Sequence, residues 1–489
     1  KPFTDDQAVF LQEVTTFLVD ADKKDGKPFV EQVFTPAWNG GFLSAPQRTK
    51  VVEMANFMLK KRFEAFPHFR DYLAAVAAFC NSGRSAAEFD TWMKSLDAMV
   101  QSGRKKNFAS FIEMCAGLFK DNSLYKSAST QWRSSSGVFT FEYDTVPKVV
   151  FPKLDLICLA KGDSAVIKNT SGVYYPSEEI WRGRGGRVTW ARAGLKPEST
   201  YAEWSHAYEI KVKSSTFEVD SVQFNDPYFE KTLFGKITDK VLANVEADNA
   251  SYPRFESYDR RMKIREIVEG IDFEGGFTLQ GAKLQGYGTK EEPAFLTFYR
   301  DKRPFIITKG LLFTIEPERI TSQDVSMTLR LEKDSIYHPS VSLRFLKDKK
   351  QLSLIKKDEG LSKGPFYDTF HDLDMYFEML TWKQGDPLVQ LGNLQGSSQT
   401  KASFESYNYF KDKRYTAMLG VDAVHPLVRL RDHQKKVGDV FTATDFAVAT
   451  RLQKPQVIPM LIDMANKGYI DYDPESEVVT VKPRLHEHV

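Results

Sequence analysis

The sequence predicts a multidomain α+β protein. Its parts are an N-terminal helical bundle or α-hairpin stack, a long all-β middle (sandwich or β-solenoid-like), and a C-terminal winged-helix-like α+β domain. Three observations predict it. Apolar residues recur at helical spacing through residues 4–120. From Val138 the apolar period drops to two and holds for about 240 residues. The last segment then runs helix, turn, helix, strand, acidic turn, strand, which is the order of a winged helix. At 489 residues the chain is too long for one hydrophobic core. The boundaries read from composition are 1–125, 138–386 with room for a further division near 235, and 403–489.

"DDQAVFLQEVTTFLVDA" opens with acids and continues with apolar residues on one helical face. Similar patterns follow at 46–62 ("PQRTKVVEMANFMLKKR"), 67–80, 86–101 ("AAEFDTWMKSLDAMVQ") and 105–119, separated by short polar turns. The polar, serine-rich "KSASTQWRSSSG" at 126–137 marks the first boundary. Strand-like runs come next, among them "GVFTFEYDT", "RVTWAR", "AYEIKVKSSTFEVDSVQF", "PFIITKGLLFTIEP" and "VSMTLRLEKD". The glycines of "EGGFTLQGAKLQGYG" (274–288) suit the tight corners of a solenoid and equally the bulges of ordinary hairpins. "PLVQLGNLQGSSQTKA" (387–402) reads as a second linker, with helices resuming at 404–419 and 425–436.

Composition narrows the function classes. A formal charge of +2 predicts neither a polyanionic partner nor an acidic tail. No apolar run approaches the roughly 18 residues of a membrane span, so no span is expected. Three cysteines, Cys80, Cys115 and Cys158, lack CxxC spacing, and two of them sit in apolar helix patterns as buried thiols. Phosphate loops, GxGxxG and metal-ligand motifs are missing from the sequence, so no cofactor and no catalytic residue is expected.

Several stretches invite chemistry. "DSIYHP" places Asp334, Ser335 and His338 within five positions. A nucleophilic triad converges from separate parts of a fold, so a turn formed by Asp334 and Ser335 and ended by Pro339 is the expectation. "FHDLDMYFEM" (370–379) sets Asp372, Asp374 and Glu378 on one alternating face, a weak candidate set for calcium, and a solvated strand face is the plainer reading. "IWRGRGGRVTW" (180–190) reads as a hairpin turn with paired tryptophans rather than an RNA-binding element. From Phe441 to Val489, five Lys/Arg face seven Asp/Glu, a net of −2. Nucleic-acid affinity comes from cations, so no nucleic-acid binding is expected. Asp–Ser/Thr–small or aliphatic triplets place Thr145, Ser164, Ser221 and Ser335 at turns or strand ends. About one or two are expected by chance in this length. The triplet resembles the O-glycosylation sequon of periplasmic and surface proteins of Bacteroidetes.

"LYKSASTQWRSSSGVFTFEYDTVPKVVFPKLDLIC", "GGRVTWARAGL", "GIDFEGGFTLQGAKLQG", "DSIYHP" and "GYIDYDPESEVVTVK" together resemble segments of large uncharacterised exported envelope proteins of Bacteroidetes. These motifs are structural and bring no catalytic residue. The resemblance implies a mature exported protein of the periplasm or cell surface of a Gram-negative bacterium. It further implies a noncatalytic scaffold or partner-binding component of an envelope or secretion-related assembly. Its partners would then be other envelope proteins within a larger complex. Two rivals remain: an intracellular winged-helix regulator that binds nucleic acid, and a carbohydrate-binding or carbohydrate-active protein. The regulator needs a basic recognition helix, where "KPQVIPMLIDMANK" offers only Lys454 and Lys467. The carbohydrate protein needs aromatics beside paired carboxylates in a groove.

Overall fold

A computed structural model describes residues 1–102, 105–229, 231–243, 245–396, 401–420 and 423–489. The chain divides into two compact units, Lys1–Pro227 with Lys231–Phe255, and Tyr228–Glu230 with Glu256–Val489.

The first unit begins with helices α1 (Gln7–Ala21), α2 (Lys23–Phe29), α3 (Thr35–Asn39), α4 (Ala45–Lys60), α5 (Arg70–Cys80), α6 (Ala86–Ser102) and α7 (Lys105–Asp121). The expected helical N-terminal region is therefore present. Local chemistry sets the starts: the Asp6 side chain accepts hydrogen bonds from the Ala8 and Val9 amides. Ser44 and Gln47 form a reciprocal capping box, with a proline in the first turn of α4. In α1 the buried residues Phe10, Val14 and Leu18 lie four apart, so one stripe faces the core. Trp92 anchors an aromatic cluster, stacked on Phe79 at 5.9 Å and edge-on to Phe119 at 5.1 Å.

Strands follow: β1 (Ser123–Lys126), β2 (Gln131–Ser134), β3 (Thr140–Tyr143), β4 (Pro147–Ala160), β5 (Asp163–Tyr175), β6 (Ile180–Thr189), β7 (Tyr201–Lys211), β8 (Thr216–Asn225) and β9 (Leu233–Lys240). From β4 to β9 each strand pairs antiparallel with the next. β2 and β3 both pair with β4. "IWRGRGGRVTW" is not a hairpin. Residues 180–189 form one strand, β6, whose pairing with β7 shifts between Arg184 and Gly186. Its tryptophans separate, Trp181 packing near Phe151 at 5.8 Å and Trp190 against Phe224 at 5.2 Å. A Cβ at Gly183 would stand 2.4 Å from the Tyr208 ring and 2.5 Å from Trp181 Nε1, so that glycine makes room for both rings. Gly183→Ala is expected to cost about 1–3 kcal/mol, read as an earlier denaturant midpoint by tryptophan fluorescence. An unchanged midpoint would contradict the packing.

After β10 (Arg254–Ser257) come β11 (Met262–Val268), β12 (Ile271–Gln280), β13 (Lys283–Tyr287), β14 (Ala294–Arg300), β15 (Arg303–Gly310), β16 (Leu312–Ile315), β17 (Arg319–Leu331) and β18 (Asp334–Leu346). Six of these close a barrel. β12 pairs with β13, β13 with β16, β16 with β17, β17 with β15, β15 with β14, and β14 back to β12, every ladder antiparallel. Phe273 on β12 meets Phe313 on β16 at 6.2 Å, and Leu296, Phe298, Ile306 and Met327 are fully buried. Within the expected sandwich or solenoid-like β body, these six strands thus form a closed barrel. Eighteen further strands belong to the β region among the described residues. Three of the barrel ladders join consecutive strands through short connections, and the non-consecutive pairs β12–β14, β13–β16 and β15–β17 close the ring.

β19 (Gln351–Ile355), β20 (Phe366–Asp368), β21 (Leu373–Tyr376), β22 (Met379–Lys383), β23 (Gln390–Gly392) and β24 (Ser403–Ser406) extend the second unit. Two expectations change here. The 387–402 stretch holds a strand, β23, paired with β22, while its residues 397–400 lie outside the described residues. The helix expected from 404 starts only at Asp412, because residues 403–406 pair with β21 instead. The end of the chain is α8 (Asp412–Leu419), α9 (Pro426–Val437), β25 (Val440–Thr442), α10 (Ala443–Thr450), α11 (Lys454–Asn466), β26 (Ile470–Tyr472), β27 (Val478–Val481) and α12 (Arg484–His488). β25, β27 and β26 form a three-stranded antiparallel sheet in that order. Phe446, Val457, Leu461, Met464 and Ile470 share its core, and Leu361 joins them from outside the segment.

Candidate functional site

The second unit contains a cavity of about 350 Å³ at an irregular part of the β17–β18 ladder. Along β17, β16 pairs with residues 320–321 and β15 with residues 325–329. Its pairing with β18 shifts between Ser322 and Val325 and again between Val325 and Met327. Gln323 and Asp324 therefore have no cross-strand partner in the ladder with β18. Bulges of this kind turn side chains out of their regular places. Facing the opening are the Gly310–Leu311 connection, Tyr337 and Pro339 of β18, and the turn after β26. That turn is held by an ion pair, Lys309 Nζ to Asp473 Oδ2 at 3.2 Å.

"DSIYHP" supplies one wall, and its histidine shapes it. His338 is fully buried and half-stacked against Phe366 at 4.6 Å. One ring nitrogen meets the Gly364 carbonyl at 3.1 Å and the other accepts from the Ser340 amide at 3.1 Å. Burial pushes its pKa down to about 3, so the ring is neutral with both nitrogens occupied. His338 thereby fixes the irregular 338–340 segment. Tyr337 and Pro339 then line the cavity, and the Ser340 hydroxyl reaches Asp324 Oδ1 at 2.7 Å. The turn expected to end at Pro339 is instead part of β18, which begins at Asp334. Pro339 falls at the irregularity, where no ladder N–H is required.

Asp334, Ser335 and His338 do not converge. The Ser335 amide donates to the Thr369 hydroxyl at 2.8 Å, and that hydroxyl reaches Asp334 at 3.3 Å. The three carboxylates considered for calcium are separately engaged. Asp372, in a turn at φ +52°, accepts from the Tyr367 hydroxyl at 3.2 Å. Asp374 pairs with Arg484 at 2.7 Å, and Glu378 accepts from the Leu394 amide at 2.7 Å. Asp374 is buried, not on a solvated face; burial raises its carboxyl pKa against the opposing pull of Arg484. Among the described residues no group of three His, Cys, Asp or Glu is placed to hold a metal ion.

All three cysteines are free and buried. Burial raises the Cys80 thiol to about 11 and Cys158 to about 12, and pushes Cys115 well above its ordinary value, away from nucleophilic thiolate. Of the sequon hydroxyls, Thr145 and Ser221 are exposed, and Ser164 and Ser335 are half-buried. Thr145 lies in the turn before β4, Ser164 and Ser335 each in the second position of a strand, and Ser221 at a strand irregularity with φ +55°. The arginines of β6 are partly spent on carboxylates: Arg182 pairs with Glu178 and Glu209, and Arg187 with Glu203.

Sequence reasoning missed the cavity. Its signals were present but scattered, in a serine-, glutamine- and aspartate-rich break inside β17 ("TSQDVS") and a proline inside β18. No helix among the described residues is long and apolar enough to cross a membrane. Comparison with protein families, curated proteins and solved structures finds no match to the chain.

Proposed function

We propose that the chain is a noncatalytic scaffold or partner-binding component of a bacterial envelope or secretion-related assembly, with its C-terminal segment a winged helix turned to protein contact. α9, β25, α10, α11, β26 and β27 follow the element order of that motif. The observation that carries the reading is where the two nucleic-acid-binding parts of such a motif point. The recognition-type helix α11 ends against the β region, Asn466 donating to the Gly360 carbonyl at 2.8 Å. The wing, between β26 and β27, is tied to β15 through Lys309 and Asp473. Four of the five cations between Phe441 and Val489 have carboxylate partners, Lys454 with Glu477, Lys467 with Asp463, Lys482 with Asp471 and Arg484 with Asp374, while the fifth, Arg451, is exposed.

Export rests on the resemblance to envelope proteins and on the four sequons, none of whose hydroxyl residues is buried. A glycan cannot enter a close-packed core, and these positions meet that requirement. Isolation of the native protein under mild conditions tests the assembly role. It is expected to co-purify with other envelope proteins in fixed ratio, with added mass on peptides carrying Thr145, Ser164, Ser221 or Ser335. A monomeric, unmodified protein recovered from the cytoplasm would overturn both parts. In a screen of esterase, glycosidase and peptidase substrates no turnover is expected. Turnover abolished by Ser335→Ala or His338→Ala would contradict the noncatalytic reading.

A further inference from the structure

We infer that the cavity beside β17 binds a neutral sugar unit, of mono- to disaccharide size, without cleaving it. The volume, about 350 Å³, lies at the small end of ligand sites. The inference stands apart from the scaffold reading, because it depends only on the cavity's own chemistry.

Around the cavity one cation, Lys309, stands against three carboxylates, Asp324, Asp473 and Glu475. Lys309 pairs with Asp473, and Asp324 already accepts from Ser340. An anionic ligand would meet Asp324, Asp473 and Glu475 together, and like charges in a confined site repel. What remains is capacity for groups that both donate and accept. Glu475 Oε2 is buried with no protein partner, and a buried carboxylate oxygen without a donor is costly. Thr314, Thr321, Gln323, Ser326 and Tyr337 complete the polar lining. A sugar hydroxyl can donate to Glu475 while its oxygen accepts from a neighbouring hydroxyl or amide. Pro293, Leu311, Pro339 and Tyr472 supply apolar walls for the C–H faces of a pyranose ring. Alternating polar edges and apolar faces are the surface pattern of a sugar.

The cavity is already built before any ligand arrives. His338 and the two shifts of register fix one wall, and the Lys309–Asp473 pair fixes the other. Pre-formed walls reduce the ordering cost of binding.

Saturation-transfer NMR on the full chain, with glucose, galactose, mannose, N-acetylglucosamine, maltose and cellobiose as probes, tests the inference. At least one sugar is expected to show transfer from the protein and a saturable titration. Tyr337→Phe removes one hydroxyl and Glu475→Gln turns a carboxylate acceptor into a neutral amide, each keeping its shape, so folding is expected to persist and is checked by thermal melting. At least one of them is expected to weaken binding roughly tenfold or more, as for a lost hydrogen bond to a charged or buried group. Absence of transfer from all six sugars would overturn the inference. So would sugar binding indifferent to both substitutions, or binding of a lysine- or arginine-bearing peptide at the cavity in place of any sugar.

Discussion

Replacing Arg484 by methionine is expected to destabilise the second unit by about 3–5 kcal/mol, the usual cost of breaking a buried ion pair from one side. Arg484 and Asp374 are 2 % and 3 % exposed. The guanidinium meets Asp374 of β21 at 2.7 Å, the Lys467 carbonyl beyond α11 at 2.8 Å, and the Tyr407 carbonyl beyond β24. One side chain therefore joins three separate stretches of backbone. Gly468, at φ +79°, keeps the approach open, since a Cβ there would stand 2.4 Å from the guanidinium. Asp374→Leu alone leaves a buried cation and is expected to cost a similar amount. The double replacement, Arg484→Met with Asp374→Leu, is expected to cost clearly less than the sum, because it removes both charges together. Denaturant titrations of the four proteins measure this. Simple additivity would mean that the pair is not an energetic unit.

His338→Gln is expected to destabilise the same unit by about 2–4 kcal/mol at neutral pH. The change loses ring packing against Phe366 and disturbs the bonds to Gly364 and Ser340. The effect should also depend on pH. The folded pKa of His338 is pushed down to about 3 from 6.5, so below pH 6.5 the unfolded chain takes up a proton that the folded chain refuses. Wild-type stability from this group is complete above pH 6.5 and falls by about 1.4 kcal/mol per pH unit as the medium is acidified towards the folded value. Glutamine does not titrate. The gap between wild type and variant should therefore narrow on acidification, while carboxylates common to both proteins cancel. Asp239 has the opposite sign: burial raises it to about 6, so its contribution is lost as pH rises through that value. It lies in the first unit and is untouched by the variant. A gap independent of pH between 6.5 and 4 would show that His338 is not held neutral.

Helices were the most legible elements, because their signal is local. The stripe Phe10, Val14, Leu18 and the Ser44–Gln47 box lie within a few residues of the structure they specify. Strand content was also legible from period-two runs, but strand pairing was not. Closure of the barrel depends on β12 meeting both β13 and β14, and on β17 meeting both β15 and β16. Partnerships of that kind leave no trace in the period of either strand. The alternating polarity of its neighbours predicts a solvated Asp374. It is buried because a residue 110 positions later supplies the opposite charge. The candidate site was less visible still. In "DSIYHP" the histidine is the most conspicuous residue, yet its neighbours Tyr337 and Pro339 face the cavity, while the histidine holds the wall from behind.

Fluorescence anisotropy of a labelled DNA duplex, titrated with the full chain from low to physiological salt, tests most directly whether the C-terminal module is turned to contacts within its own unit. The turn between β26 and β27 is held by Lys309, and the Lys and Arg side chains at positions 454, 467, 482 and 484 are paired with carboxylates. No saturable binding is expected at physiological salt, and only weak, non-specific association at low salt. Submicromolar affinity that falls steeply as salt is raised, the sign of phosphate contacts releasing counterions, would contradict it.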